Sequence, residues 1–263
     1  MQNYLMSYSD AGSGIPILFI HGYPLSRKLW EPQINDLQDV ARVITPDLRG
    51  HGTSQDQNGP YSMDQMANDC AQLLQHLAIG GKVILCGLSM GGYVSFSFYR
   101  QYKNQVAGLI LTATRAEADS ALAKQNRENA IHTAETEGTE QIFTMMLPKL
   151  LSPKNFQDSL ALNEKAMKIM HSAVTKDIVV KDQVALMNRA NSTSMLPQID
   201  IPVLIIHGVD DQIVPIQEAQ TMHAAIKGST LVILPKAGHL LNLEQPVLFN
   251  SSIRNFIKNI RRT

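Results

Sequence analysis

The chain has 263 residues, 44% hydrophobic and 17% charged, an ordinary globular composition that argues against disorder. Lys+Arg and Asp+Glu both number 23, so the formal net charge is zero and the basic footprint of a nucleic-acid binder is missing. No apolar run reaches the ~18 residues of a membrane span, and Met1 to Asp10 shows no basic region followed by an apolar one, as a secretory signal would.

Short apolar runs recur along the chain, separated by helical patterns. The strand candidates are Ile15 to Ile20, Val43 to Thr45, Val83 to Cys86, Val106 to Thr112, Val203 to Ile206 and Leu231 to Leu234. Their hydrophobicity is continuous rather than alternating, which suits strands covered on both faces. Tyr4 to Tyr8 reads as an antiparallel edge strand. The helix candidates are Leu25 to Leu37, Met63 to Leu77, Met90 to Lys103, Ile216 to Ile226 and Gln245 to Ile260. Strand and helix in alternation predict an α/β domain with a mostly parallel sheet. Cys70 and Cys86 are too few for a disulfide framework and read as buried thiols in a reducing, cytoplasmic setting.

From Arg115 to Leu196 no strand pattern is found. Helical spacing occurs around Ala121 to Ala134, Glu140 to Leu147, Leu160 to His171 and Ile178 to Ala190, punctuated by Pro148, Pro153 and Pro197. The stretch is too long for a loop in a compact domain. It predicts a helical insertion at 115–196, after the fifth main strand, dividing a core of 1–114 and 197–263.

Gly87-Leu88-Ser89-Met90-Gly91 follows the strand ending at Cys86 and precedes the helical pattern from Tyr93. This is G-x-S-x-G in the setting that gives it chemical meaning: strand, sharp turn, helix. The turn strains the backbone of Ser89, and the flanking glycines avoid collisions with the neighbouring strand and helix. Ser89 is lifted above the sheet, where the helix start offers backbone N–H groups and partial positive charge to an oxyanion.

With those residues in that setting, the whole chain resembles the serine-nucleophile branch of the α/β-hydrolase family, which includes carboxylesterases, enol-lactonases and non-haem haloperoxidases. The resemblance implies an α/β-hydrolase fold, a mostly parallel central sheet flanked by helices, with 115–196 as a helical lid. It also implies the order nucleophile, acid, histidine along the chain. His239, just past Leu231 to Leu234, matches the family's histidine. Among the eight histidines, His76, His132, His171 and His223 lie in helical patterns where packing or solvation accounts for them. The family pattern G-x-x-D-x-x-x-P on Gly208 to Pro215 selects Asp211 over Asp210. Thr112-Ala113-Thr114, where some relatives carry the acid, holds no carboxylate. His21-Gly22-Tyr23-Pro24 resembles the family's oxyanion loop, so the N–H groups of Tyr23 and Met90 are the expected oxyanion donors. In Asp47-Leu48-Arg49-Gly50, Asp47 and Arg49 are expected to pair and to hold that loop in place.

Serine at the elbow suits acyl transfer through an acyl-serine, whereas the family's epoxide hydrolases and dehalogenases use aspartate there. No H-E-x-x-H or cysteine zinc spacing occurs, and Gly80-Gly81 precedes a strand instead of following one, so neither metal nor other cofactor is expected. The expected partner is a small or medium, largely neutral ester or lactone; a homo-oligomer is left open. Perhydrolysis by the same triad is one rival reading, and a receptor-like hydrolase fold without catalysis is another. Residues 115–196 hold ten basic and ten acidic residues and six of the twelve methionines, which suits an adaptable apolar pocket. Tyr23, Phe143, Met146, Leu147, Met170 and Leu240 are the expected pocket walls. Arg115 and Arg127 leave room for an acidic lactone.

Overall fold

The computed structural model describes residues 5–57, 59 and 61–260. Its strands are β1 (Tyr8–Ala11), β2 (Pro16–Ile20), β3 (Arg42–Pro46), β4 (Val83–Leu88), β5 (Val106–Thr112), β6 (Val203–Gly208) and β7 (Thr230–Leu234). They form one sheet in the order β1-β3-β2-β4-β5-β6-β7. β1 pairs antiparallel with β3, and the other pairings are parallel. Every residue of β4 and β6 is buried, whereas β1 and β7 at the edges are partly exposed. This is what continuous apolar runs in the middle and mixed runs at the rims dictate.

The edge strand starts at Tyr8, where its sequence-based prediction ended, and Tyr4 lies outside the described residues. Only Tyr8↔Pro46 to Ala11↔Val43 can pair in this register, and the strand's burial does not alternate, so its apolar signal is faint. The helix expected from Leu25 divides into a 3₁₀ turn, Arg27–Trp30, and α1 (Glu31–Leu37). Pro32 in the first turn of α1 marks that start. α2 (Met63–His76) and α3 (Met90–Tyr102) pack on each other.

Between β5 and β6 lie α4 (Ala121–Thr136), α5 (Thr139–Leu150), α6 (Pro153–Asp158), α7 (Leu160–His171) and α8 (Lys176–Met187). α5 runs past Pro148 because a proline in the last turn removes a single ladder bond. α6 was not expected, although Ser152 caps it by accepting from the Asn155 N–H at 3.2 Å and Pro153 opens it. α9 (Ile216–Ala225), α10 (Leu241–Glu244) and α11 (Pro246–Ile260) follow. A buried amide network ties α1 to α10 and α11. Asn242 donates to the Leu29 carbonyl and to Gln33 Oε1, both at 3.0 Å, and Gln33 donates to Asn250 Oδ1 at 3.0 Å.

The chain leaves β2 toward one side of the sheet and later resumes on its other side with β4. The loops after β2 and β4 therefore diverge above adjacent strands, and a crevice opens at that switch point. Both sequence motifs, His21 to Pro24 and Gly87 to Gly91, are the loops that border it.

Candidate active site

Ser89 joins β4 to α3 with φ 53° and ψ −112°, a left-handed conformation that a residue with a Cβ adopts only under constraint. Its bonds hold it there. The Ser89 N–H donates to the Thr112 carbonyl at 2.9 Å, and its carbonyl accepts from the Gly92 N–H at 2.9 Å and Thr114 Oγ1 at 2.8 Å. A Cβ on Gly87 would strike the Gly91 carbonyl, and one on Gly91 would strike the Ile20 carbonyl. Glycine at these two positions is a steric requirement of the turn.

His239 Nδ1 lies 2.8 Å from Asp211 Oδ2, and both side chains are buried. Asp211 Oδ1 accepts from the N–H groups of Ile213 and Val214 at 2.8 and 3.0 Å. Burial pushes the Asp211 carboxyl up, but the charge and hydrogen bond of His239 and the Val214 amide outweigh it and hold it below the usual range. The carboxylate is thus an ionised acceptor that fixes the imidazole with Nδ1 protonated and Nε2 free to take a proton. Asp210 is exposed beside it. The His239 loop is pinned by Glu244, which accepts from the N–H of Gly238 at 2.6 Å and of Ser152 at 2.7 Å. Nothing in the local sequence marks Glu244, because two of its partners, Ser152 and Asn155, come from the middle of the insertion.

A second histidine stands behind the acid. His207 Nε2 donates to the Val214 carbonyl at 2.8 Å and lies 3.5 Å from Asp211 Oδ2. Burial pushes its pKa below the ordinary histidine value, so this ring is a neutral brace. His21 is also neutral for the same reason, with the nearby His51 adding to the effect. The Leu48 N–H donates to His21 Nε2 at 3.0 Å, so Nδ1 carries the proton and donates to the Gly22 carbonyl at 3.0 Å. His21 therefore stitches the Tyr23 loop to the loop after β3.

The expected Asp47–Arg49 pair does not form. Asp47 instead accepts from the Arg27 N–H at 2.7 Å and the Thr53 N–H at 3.0 Å, and pairs with the Arg27 guanidinium. Arg49 makes a two-pronged pair with Asp69 of α2 at 2.7 and 2.8 Å. Arg49 lies in a turn and not in a strand, so the strand rule that sets residues i and i+2 on one face does not reach it.

Ser89, His239, Tyr23 and Met90 all line one cavity of about 390 Å³, whose opposite wall comes from α4, α5 and α8. Met90 opens α3, so its N–H belongs to the helix's unpaired first turn. The arrangement places an alcohol, an imidazole backed by a carboxylate, and main-chain donors around one space, the parts acyl transfer uses.

An alpha/beta hydrolase fold family model matches residues 15–246. The chain belongs to the α/β-hydrolase family. It is 40% identical to a thermophilic esterase from Thermogutta terrifontis solved with malate bound, with a TM-score of 0.93 over 97% of this chain and 93% of that one. It is 28% identical to 3-oxoadipate enol-lactonase 2 of Acinetobacter baylyi, over 98% of this chain and 94% of that protein. It is 29% identical to a non-heme haloperoxidase of Rhodococcus erythropolis, over 96% and 95% respectively.

Of the pocket walls expected for this hydrolase, Tyr23 and Met146 line the cavity; Phe143, Leu147, Met170 and Leu240 do not. The reason is helical phase. Ile142, Met145, Met146 and Lys149 form the cavity face of α5. Phe143 lies on another face, its ring set edge-on to His171 of α7 at 5.5 Å. Leu147, one turn on, packs with the same core. Met170 and Leu240 are fully buried in the core. Residues not singled out, Tyr93, Gln183 and Arg189, complete the wall. Tyr93 lies on α3 and Gln183 on α8, both with weak amphipathic signals, and Arg189 lies just beyond α8, which packs on α4. Among the described residues no group of three His, Cys, Asp or Glu is placed to hold a metal, and no helix is long and apolar enough to cross a membrane.

Proposed function

We propose that the protein is a serine hydrolase of small to medium carboxylic esters, acting through an acyl-serine. One observation carries this reading: the strained Ser89 faces the same cavity as His239, whose other ring nitrogen is tied to Asp211. Ser89 Oγ attacks the ester carbonyl while His239 Nε2 takes its proton. The N–H groups of Tyr23 and Met90 stabilise the oxyanion, each worth about 3 kcal/mol in the transition state. The imidazolium returns the proton to the departing alkoxide, leaving an ester on Ser89. Water attacks next, again giving its proton to His239, and the acid leaves as Oγ is reprotonated.

The cavity volume of about 390 Å³ supports a substrate of modest size. The helices of 115–196 act as its lid in this reading. A lactone is an ester whose alcohol stays attached, so the likeness to a protein named an enol-lactonase supports cyclic esters as substrates of the same step. The likeness to a haloperoxidase supports hydrogen peroxide replacing water in the second half-reaction. Two buried free thiols, Cys70 and Cys86, fit a reducing cytoplasm. Labelling by a fluorophosphonate probe, abolished in Ser89→Ala, together with hydrolysis of p-nitrophenyl esters from acetate upward, is the expected result. An unlabelled protein that leaves every such ester intact refutes the reading.

A further inference from the structure

A buried pair of titratable groups spans the junction between the insertion and the core. His51, in the loop after β3, meets Asp182 of α8 at 2.9 Å from Nε2 to Oδ2, and both side chains are sealed from solvent. No donor other than His51 serves the Asp182 carboxylate among the described residues. His51 Nδ1 lies 3.0 Å from the Arg49 carbonyl, which can only accept, so that nitrogen is protonated and Nε2 faces the acid. A buried carboxylate set against a bare ring lone pair is too costly to persist. One proton therefore lies between Nε2 and the carboxylate. In keeping with this, burial pushes the His51 pKa down, but Asp182 outweighs it and holds the ring above the ordinary histidine value.

α8 has other fastenings to the same loop. Ile178 packs so close to Gly50 that a Cβ there would strike its Cδ1, the Gly52 N–H donates to the Ala173 carbonyl at 2.7 Å, and Lys181 pairs with Asp56 at the surface. What the buried pair adds is a path to the oxyanion loop. The His51 ring leans on the His21 ring, with centroids 4.8 Å apart and planes inclined at 56°. His21 accepts from the Leu48 N–H and donates to the Gly22 carbonyl, next to the Tyr23 N–H. Gly22 abuts the elbow, where an added Cβ would lie 3.2 Å from the Ser89 Cβ. His21 can accept from Leu48 only while neutral, and burial followed by the neighbouring His51 keeps it so. On α8, Gln183 and Leu186 beside Asp182 line the cavity. The other charges facing this cluster are already paired: Asp47 with Arg27, Arg49 with Asp69 and Arg127 with Asp119. Burial pushes the Tyr23 and Tyr61 hydroxyls up, so both are neutral.

We propose that Asp182 is a positioning residue for the oxyanion donor: through the proton it shares with His51 it holds that ring on His21, and His21 holds the Tyr23 loop against Ser89. The inference rests on the ester-hydrolase reading and deepens it, because the insertion then serves the chemical step as well as the cavity wall.

Asp182→Leu, Asp182→Asn and the double variant His51→Leu with Asp182→Leu separate positioning from fastening. The Asn amide can donate to a neutral His51 Nε2 and keep the ring in place. An oxyanion donor acts in the transition state, so Asp182→Leu should lower kcat on p-nitrophenyl butyrate about 10-fold with KM within about twofold. Asp182→Asn should restore kcat to within about threefold of wild type. The double variant replaces the whole pair by apolar groups, so it should recover thermal stability but not kcat, and it carries the test where Asp182→Leu alone does not fold. A double variant with wild-type kcat, or an Asp182→Leu effect confined to KM, overturns the proposal. Amide exchange followed by NMR reads the link without turnover. The Leu48 N–H should exchange about 10-fold faster in Asp182→Leu and recover in Asp182→Asn. That result upholds the link even if no ester is hydrolysed, and unchanged Leu48 protection in Asp182→Leu refutes it even if esters are.

Discussion

The sheet core and the helical insertion share one apolar cluster but differ in how much polar contact is added to it. In the core, β4 and β6 are buried along their whole length and the packing is apolar. In the insertion, α4 buries only Ala134 of its sixteen residues, and α6 buries none. α5, α7 and α8 bury apolar side chains in the common core, among them Phe143, Met170 and Ile178, and charges add to that joining. Asp119 clamps Arg127 of α4 and Arg189 just beyond α8. His51 of the core meets Asp182 of α8 at 2.9 Å, with both side chains sealed from solvent. The difference separates two tasks. Apolar packing and glycine sterics fix the Ser89 turn, while the cavity wall adds polar contacts such as those of Asp119 and Asp182 to its own apolar packing.

The largest expected effect falls on the core alone. Ser89→Ala keeps the Cβ and the backbone bonds, so kcat should fall on the order of 10⁶-fold while the thermal midpoint stays put. A matching loss of stability would show that the hydroxyl supports the fold. Next comes Asp211→Asn, which leaves the His239 ring without its anionic acceptor and should cost about 10⁴-fold in kcat. A much smaller loss would mean that His207 or the backbone orients the ring unaided.

The comparison sharpens at the insertion. Asp182→Ala strips a buried partner from His51 and should cost about 3 kcal/mol in urea unfolding. Burial pushes the Asp182 carboxyl up, with the charge of His51 opposing it, so the pair works against a desolvation penalty and the lower end of the usual range is expected. A loss below about 1 kcal/mol would mean that apolar contacts dock α8 after all. Asp119 should impose a pH dependence. Burial pushes its carboxyl up, but Arg127 and Arg189 prevail and hold it below the ordinary value. A folded value below the unfolded one gives stability present above about pH 4 and lost as pH falls through the folded value. The gap in thermal midpoint between wild type and Asp119→Asn should therefore close in acid. A constant gap would locate the effect in packing. At the surface, Lys165 of α7 pairs with Glu31 of α1 at 3.1 Å, both well exposed. Glu31→Gln should move stability by no more than about 0.5 kcal/mol.

The core strands and the elbow were legible because their signals are local. An apolar run of fixed length, a serine between two glycines and a helix start all lie within one short stretch. Asp211 and His239 followed from the resemblance to the family, whose order and G-x-x-D-x-x-x-P pattern match at these strand ends. The insertion was legible as helices but not as a wall: α5 is apolar on more than one face, so Phe143 and Leu147 seemed as good as Ile142 and Met145. Pairing partners were also out of reach. Asp47 found Arg27 instead of Arg49, and Arg49 found Asp69, since ion pairs form between residues brought together in space.

By itself, the sequence determined the α/β alternation and the strained turn at Ser89, because backbone sterics and strand burial act over a few residues; the order of the groups that follow came from the resemblance to the family. Only the tertiary structure decided which helix faces line the cavity, which ion pairs form and which neutral histidines brace the site. Those depend on the rotation of each helix about its own axis and on contacts between segments far apart in the chain, and a few kcal/mol of packing chooses among such arrangements without leaving a local mark.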